Sequence, residues 1–137
     1  MKKITVLGII LLFCFGISNA QTDYRVVFDL TSRDSLDHKA VLRWLDEVSK
    51  LSPNAKLEVV MYGQGVNMVT KSRSVVAETV NKFSQNKNIT FAVCAVALQN
   101  LGIDKSELLP NIVIVPDGIY EIISKQREGW GYIKAVH

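Results

Sequence analysis

Ile89-Thr90-Phe91-Ala92-Val93-Cys94 is an apolar run that leads directly into a segment of helical character, residues 95–101. We predict a buried strand over 89–93, with Cys94 at the point where strand becomes helix. A thiol at a helix N-terminus feels the positive end of the helix dipole, and unpaired N–H groups there can stabilise the reactive thiolate. Cysteine is also one of the residue types most often buried as a small hydrophobe. On these residues alone, a reactive thiol and a structural core residue both remain open.

Strand-like and helix-like segments alternate on either side of this run. The other predicted strands are residues 24–29, 56–62, 111–115 and a short fifth strand at 132–134. The predicted helices are residues 35–51, 72–85, 95–101 and a last one that starts after Pro116-Asp117-Gly118 and ends at Gly129. This alternation predicts an α/β fold in which a parallel sheet is covered by helices. The nearly continuous apolar character of the first, third and fourth strands indicates a sheet that is buried on both faces.

The spacing of apolar residues predicts which sides of the helices are buried. In the helix at 35–51, apolar residues recur every three or four positions and give it one apolar face. These residues are Val41, Trp44, Leu45, Val48 and Leu51. We predict that His38 lies on the charged face of this helix, and that Ile119, Ile122 and Ile123 share one face of the last helix. The segment from Asp104 to Glu107 has the spacing of a capping box, which indicates one short helical turn.

The N-terminus has the pattern of a cleaved signal peptide, residues 1–20. Two lysines at 2–3 precede an apolar stretch at 4–17, and small residues at 18–20 occupy the positions that a signal peptidase recognises. The apolar stretch is shorter than the roughly 20 residues that cross a bilayer, so we predict no stable membrane insertion. We therefore expect cleavage before Gln21, loss of Cys14 with the leader, and a periplasmic or secreted protein.

Composition and charge exclude several classes of function. Residues 21–137 form one predicted domain, and Cys94 is its only cysteine, so no intramolecular disulfide can form. Loss of the two leader lysines lowers the formal net charge of +3 by two. No basic cluster is interleaved with aromatic residues, so we predict no nucleic-acid partner. His38 and His137 offer no converging ligand set, and Gly63-x-Gly65 lacks the third glycine of a dinucleotide fingerprint, so neither a metal nor a cofactor is predicted.

The carboxyl ends of the predicted strands form the candidate site. In open parallel sheets, ligands bind just beyond these ends. The residues found there are Asp29, Gly63, Gly65, Cys94, Asp117 and Gly118. We predict that Cys94 is the reacting residue and that the other five bind a ligand. The alternative also stays open, in which the glycines are ordinary turn residues and Asp117 caps the last helix.

Several segments, in their order and spacing, carry a resemblance to a known family. They are Leu57-Glu58-Val59-Val60-Met61-Tyr62-Gly63, Thr90-Phe91-Ala92-Val93-Cys94, Leu101-Gly102-Ile103, residues 110–118 and residues 125–134. On these segments the chain resembles the DsrE/DsrF-like family of small α/β proteins over residues 24–134. The resemblance implies a three-layer α/β/α sandwich with a parallel sheet of about five strands. It also implies assembly as trimers or hexamers, and a persulfide carried on Cys94 for exchange with sulfur donor and acceptor proteins.

Two functional hypotheses follow. In the first, the protein is an exported DsrE-like sulfur carrier or thiol-redox protein that acts through Cys94, and it transfers sulfur instead of turning over substrate rapidly. In the second, it is a non-catalytic oligomeric binding or scaffold protein whose cysteine is buried. The two differ in whether the folded protein presents a thiol that can react.

We predict that the exported protein begins at Gln21. The apolar stretch is too short to anchor the chain, and small residues stand at the peptidase positions. N-terminal sequencing of the protein recovered from outside the cytoplasm measures this. A mature form that retains Cys14, or that stays with the membrane fraction, would contradict it.

Overall fold

Five parallel strands form a single sheet. The structure, a computed structural model, describes residues 24–137. The predicted signal peptide, its cleavage site and Cys14 lie outside the described residues. The strands are β1 (Arg25–Leu30), β2 (Lys56–Met61), β3 (Ile89–Cys94), β4 (Val113–Val115) and β5 (Gly131–Lys134). Their order across the sheet is β4-β3-β2-β1-β5, and every neighbouring pair is parallel, which confirms the predicted parallel sheet.

Helices cover both faces of the sheet, as the α/β/α prediction requires. They are α1 (Ser35–Leu51), α2 (Ala77–Phe83), α3 (Ala95–Leu101) and α4 (Gly118–Arg127). Residues of the first three helices share a large core with one face of β1, β2 and β3. On the other face, Ile122 of α4 packs with Val27, Val60, Ala92 and Val115 in a smaller core. Within the described part of the chain, no helix is both long and apolar enough to cross a membrane.

Helix α1 follows the predicted pattern except at its end and at one histidine. Asp34 caps it by accepting a hydrogen bond from the Leu36 backbone N–H at 2.8 Å. Val41 and Leu45 are fully buried, but Leu51 in the last turn is exposed, so the prediction was wrong there. His38 is also buried instead of lying on a charged face. Its Nε2 is 2.8 Å from the Ser32 carbonyl oxygen, which satisfies the ring inside the fold.

Three predicted elements differ in length from those observed by more than one residue. The turn predicted at 63–65 is the start of a 3-10 helix, Gly63–Val69, and α2 is about half as long as the helix predicted at 72–85. Strand β4 is also shorter than predicted, because Asn111 has a φ of 60°, which extended backbone does not adopt. The capping box is confirmed: the Asp104 backbone N–H donates to Glu107, and the Asp104 carboxylate accepts from the Ser106 N–H.

In α4 the predicted shared face of three isoleucines was wrong. Ile122 is buried against the sheet, whereas Ile119 and Ile123 are exposed. A helix turns by about 100° per residue, so neighbouring positions 122 and 123 cannot point the same way. The exposed pair leaves apolar surface on α4.

We predict that Gly65→Ala destabilises the protein by about 1–3 kcal/mol, the usual range for overpacking. A Cβ at this position would overlap the backbone carbonyl of Leu30, which cannot move without disturbing β1. Gly131→Ala is the matched control, because its added Cβ would lie 3.6 Å from the Arg25 carbonyl oxygen, an ordinary contact. Urea unfolding of both variants measures the effect. Equal midpoints for the two would contradict it.

Candidate functional site

Cys94 is both the last residue of β3 and the N-cap of α3. Its backbone is extended, with φ −71° and ψ 122°, and its side chain makes no capping hydrogen bond. In the sheet register Cys94 pairs with Val115, so the end of β4 and the start of α4 lie beside it. Only 5% of the residue is exposed. The sequence therefore placed the cysteine correctly at the strand-to-helix junction, where it is packed into the edge of the main core.

A pocket of about 210 Å³ opens next to this cysteine, at the carboxyl edge of the sheet. Side chains with carbon surfaces make most of its wall: Tyr62, Val96, Ala97, Leu101 and Ile119. The polar groups in the wall are the thiol of Cys94, the amide of Asn100 and the carboxylate of Asp117. Gly63 and Gly118 complete it. Such a pocket, mostly apolar with a few polar groups, is typical of a small-molecule site.

Gly118 brings the start of α4 into direct contact with the cysteine. A Cβ on Gly118 would be 3.2 Å from the Cys94 Cβ and 3.3 Å from the Tyr62 side chain. These distances are shorter than ordinary van der Waals contacts, so a side chain here would push on both walls of the pocket. The preceding residue, Asp117, fixes the helix start: its Oδ1 accepts a hydrogen bond from the Tyr120 N–H at 2.8 Å. The predicted capping role of Asp117 is thus confirmed.

Behind Tyr62 lies a polar network centred on the buried carboxylate of Asp29. This carboxylate accepts a hydrogen bond from the Tyr132 hydroxyl at 2.6 Å and contacts the Lys134 ammonium at 3.1 Å. Lys134 also donates to the Thr31 hydroxyl at 3.0 Å and lies 5.9 Å from the centre of the Tyr62 ring. Burial, followed by the negative charge of Asp29, raises the pKa of Tyr62, so its phenol stays protonated at neutral pH.

The structure brings together four of the six residues predicted for the site. Gly63, Cys94, Asp117 and Gly118 line the same pocket, as expected for the carboxyl ends of adjacent parallel strands.

The other two predicted residues lie outside the pocket wall. Asp29 is occupied by Tyr132 and Lys134, and Gly65 packs against the backbone of Leu30. Ligand binding by any of the five stays a prediction.

Sequence reasoning missed Tyr62 and the pocket-facing side of α3. Tyr62 directly follows β2, so its place at the carboxyl edge could have been read from the end of that strand. On α3 the wall residues are Val96, Ala97, Asn100 and Leu101. They are two neighbouring i, i+4 pairs, the spacing that puts side chains on one helix face. Ile119 was noted as apolar, but its position beside the cysteine depends on how α4 returns across the sheet.

The nucleophile in the wall of this pocket is the thiol of Cys94. Among residues 24–137, no group of three or more His, Cys, Asp and Glu side chains is arranged to hold a metal ion. The pocket offers no imidazole that could serve as a base. Fold and site together define a small parallel α/β protein with one cysteine at the wall of an apolar pocket.

Comparison with known proteins agrees with this description. The profile of the DsrE/DsrF-like family matches residues 25–135, and the chain belongs to that family. No curated protein matches the chain.

Solved structures share the fold. A protein of unknown function from Methanobacterium thermoautotrophicum, MTH1491, is 28% identical, with a TM-score of 0.77 over 82% of this chain and 99% of its own. The ychN protein from E. coli is 12% identical, with a TM-score of 0.68 over 82% of this chain and 98% of its own. The conserved protein BT1422 from Bacteroides thetaiotaomicron is 15% identical, with a TM-score of 0.65 over 85% of this chain and 98% of its own.

We predict an alkaline loss of stability that Tyr132→Phe reduces. The hydrogen bond to Asp29 raises the pKa of Tyr132 from 10.0 to about 12. The folded state therefore holds this proton more tightly than the unfolded chain does. The resulting stabilisation is complete below pH 10 and is lost as the pH rises through 12. Because Tyr132 is partly exposed, we expect the substitution to cost about 0.5–1.5 kcal/mol at neutral pH, the range of one hydrogen bond.

Ultraviolet titration and urea unfolding between pH 8 and 12 measure this, with Tyr120→Phe as the control at an exposed tyrosine. The prediction is wrong if the phenol that Tyr132→Phe removes titrates near pH 10. It is also wrong if, for both variants, the free energy of unfolding falls above pH 10 as steeply as it does for the parent protein.

Proposed function

We propose that this protein is an exported sulfur carrier that holds sulfane sulfur as a persulfide on Cys94. The observation that carries the proposal is that the cysteine, although mostly buried, lies in the wall of a pocket. A core cysteine that serves only as packing needs no such space beside it. Membership of the DsrE/DsrF-like family, whose sulfur-relay members use a cysteine after the third strand, supports the same role.

The proposed reaction is a sulfur transfer between thiols. The Cys94 thiolate attacks the outer sulfur of a donor persulfide, R–S–SH. A new S–S bond forms to Cys94, the donor S–S bond breaks, and its electron pair leaves with the donor as R–S⁻. No net oxidation or reduction takes place. In the second half of the cycle an acceptor thiolate takes the outer sulfur from Cys94 by the same displacement.

The pocket has the features that such a carrier needs. About 210 Å³ is enough for one added sulfur and a few further heavy atoms. Because residue 118 is glycine, α4 can approach the Cys94 Cβ without the close contact that a side chain would make there. The surrounding apolar side chains restrict approach to groups that fit the pocket, which would limit unproductive exchange with other thiols. The periplasmic or secreted location, and a donor and an acceptor protein, are parts of the same proposal.

One observation favours a second function. Cys94 is only 5% exposed and packs with the main core, as a structural cysteine would. If the cysteine is structural, the protein is a binding or scaffold protein, and the pocket holds a ligand without covalent chemistry. Persulfide loading of Cys94 distinguishes the sulfur carrier from the binding or scaffold protein.

We predict that a small organic persulfide adds about 32 Da to the folded protein, the mass of one sulfur, and that dithiothreitol removes it. Cys94→Ser should abolish the addition and change the free energy of unfolding by less than about 1 kcal/mol, because serine is a good N-cap for α3. Cys94→Ala, which cannot cap, is the control for burial. Intact-protein mass spectrometry gives the readout. No sulfur addition to the native protein, together with a large stability loss in both variants, would support the scaffold instead.

We also propose that the protein forms a homo-oligomer, a trimer or a hexamer. The first six residues of α4 include three large apolar side chains at the surface: Ile119, Tyr120 and Ile123. A second copy of the chain that covers this surface would bury apolar area that a small domain leaves exposed.

Light scattering on the purified protein should give the mass of more than one chain. Ile123→Glu should shift it toward the monomer, because a charge would be buried in the interface. Leu51→Glu, at the exposed end of α1, is the matched control and should leave the mass unchanged. A monomer at high protein concentration would rule out the assembly.

A further inference from the structure

We infer that the Cys94 pocket discriminates by charge, and accepts sulfur donors whose carrier group has no negative charge. This inference rests on the proposed function and specifies its substrate class. The evidence for charge selection is the distribution of charged groups around the pocket, an observation that is independent of the cysteine itself.

The pocket wall contains one ionisable carboxylate and no basic side chain among the described residues. Asp117 is half-buried, and one of its oxygens already binds the Tyr120 N–H at the start of α4. The positive end of the α4 dipole could otherwise attract an anion, but the Asp117 carboxylate already compensates it. Asn100 is neutral, and the remaining side chains contribute carbon surface.

A cation does approach the pocket from behind Tyr62, but it is already paired. The Lys134 ammonium lies 5.9 Å from the Tyr62 ring centre, and it contacts the Asp29 carboxylate at 3.1 Å. The Asp29 carboxylate is buried and the Lys134 side chain is partly exposed, and the pair as a whole carries no net charge that could attract an anion to the pocket. An incoming sulfonate or carboxylate would find no counter-ion.

The energetic consequence differs for the two kinds of donor. An anionic carrier group would lose hydration in an apolar pocket and would be repelled by Asp117. A neutral carrier group gains from burial against Val96, Leu101 and Ile119. The donor would therefore be a neutral organic persulfide, R–S–SH, which transfers its outer sulfur to the Cys94 thiolate and leaves as R–S⁻. Thiosulfate and persulfides with several carboxylates would be poor donors.

Methanethiosulfonates of similar size and different charge test this directly on the folded protein that begins at Gln21, in which Cys94 is the only cysteine. Each reacts by attack of the Cys94 thiolate on the sulfenyl sulfur, with release of methanesulfinate and formation of a mixed disulfide. The probes are the neutral 2-hydroxyethyl, the anionic 2-sulfonatoethyl and the cationic 2-trimethylammonioethyl reagents. Each rate is divided by the rate for the same protein unfolded in urea, which removes the intrinsic reactivity of the reagent.

We expect the normalised rate of the neutral probe to exceed that of the anionic probe by about tenfold or more, which corresponds to roughly 1.4 kcal/mol. The cationic probe should also react faster than the anionic one. Asp117→Asn, which retains a capping oxygen, should reduce the neutral-to-anionic ratio severalfold. Glu128→Gln, which removes the same charge beyond the far end of α4, should leave the ratio unchanged.

The outcomes separate the inference from the proposed function. Equal normalised rates for all three probes would overturn charge selection while leaving Cys94 a reactive thiol. Equal slowing of both charged probes would also overturn charge selection, because the loss of hydration, and not the sign of the charge, would then set the rates. If no probe reacts with the folded protein, the thiol is sealed and both the inference and the proposed function are wrong.

Discussion

The candidate site depends on the contact between the first residue of α4 and the end of β3. Gly118 approaches Cys94 so closely that a Cβ would lie 3.2 Å from the cysteine Cβ. Toward the other end of the helix, the Lys125 ammonium lies 2.9 Å from Glu58, a carboxylate on β2 whose pKa burial raises. Loss of Lys125 would leave that buried carboxylate without its ion-pair partner. Contacts near both ends thus fix the helix that forms one side of the pocket.

The pocket does not lie at the point where the direction of the chain across the sheet reverses, which is where ligands usually bind in open α/β sheets. The chain runs outward from β1 to β4 and then returns through α4 to β5, so that point lies between β1 and β5. There, the Asp29 carboxylate is bound by Tyr132 and Lys134. The pocket beside Cys94 lies at the ends of β2, β3 and β4, where the first residue of α4 is a glycine, Gly118.

Much of the fold could be predicted from sequence because strand and helix patterns are local. The same locality predicted that Cys94 and Asp117 lie at, or just beyond, the carboxyl ends of two strands. It could not predict the 3-10 helix at Gly63–Val69, because glycines punctuate turns and short helices alike. It also misplaced His38, which is buried and whose ring is paired with the carbonyl oxygen of Ser32 in the preceding loop. Whether a pocket forms beside the cysteine depends on where α4 packs against the sheet. That packing is a long-range contact, which no local sequence pattern encodes.

The central claim is that Cys94 reacts from the native state, through the pocket. The most direct test is the rate of iodoacetamide alkylation measured at several urea concentrations below the unfolding transition. Reaction through the pocket predicts a rate that does not change with urea in this range, because no unfolding is needed. If the logarithm of the rate instead rises linearly with urea, with the slope of global unfolding, the thiol is reached only when the protein unfolds, and the claim is contradicted.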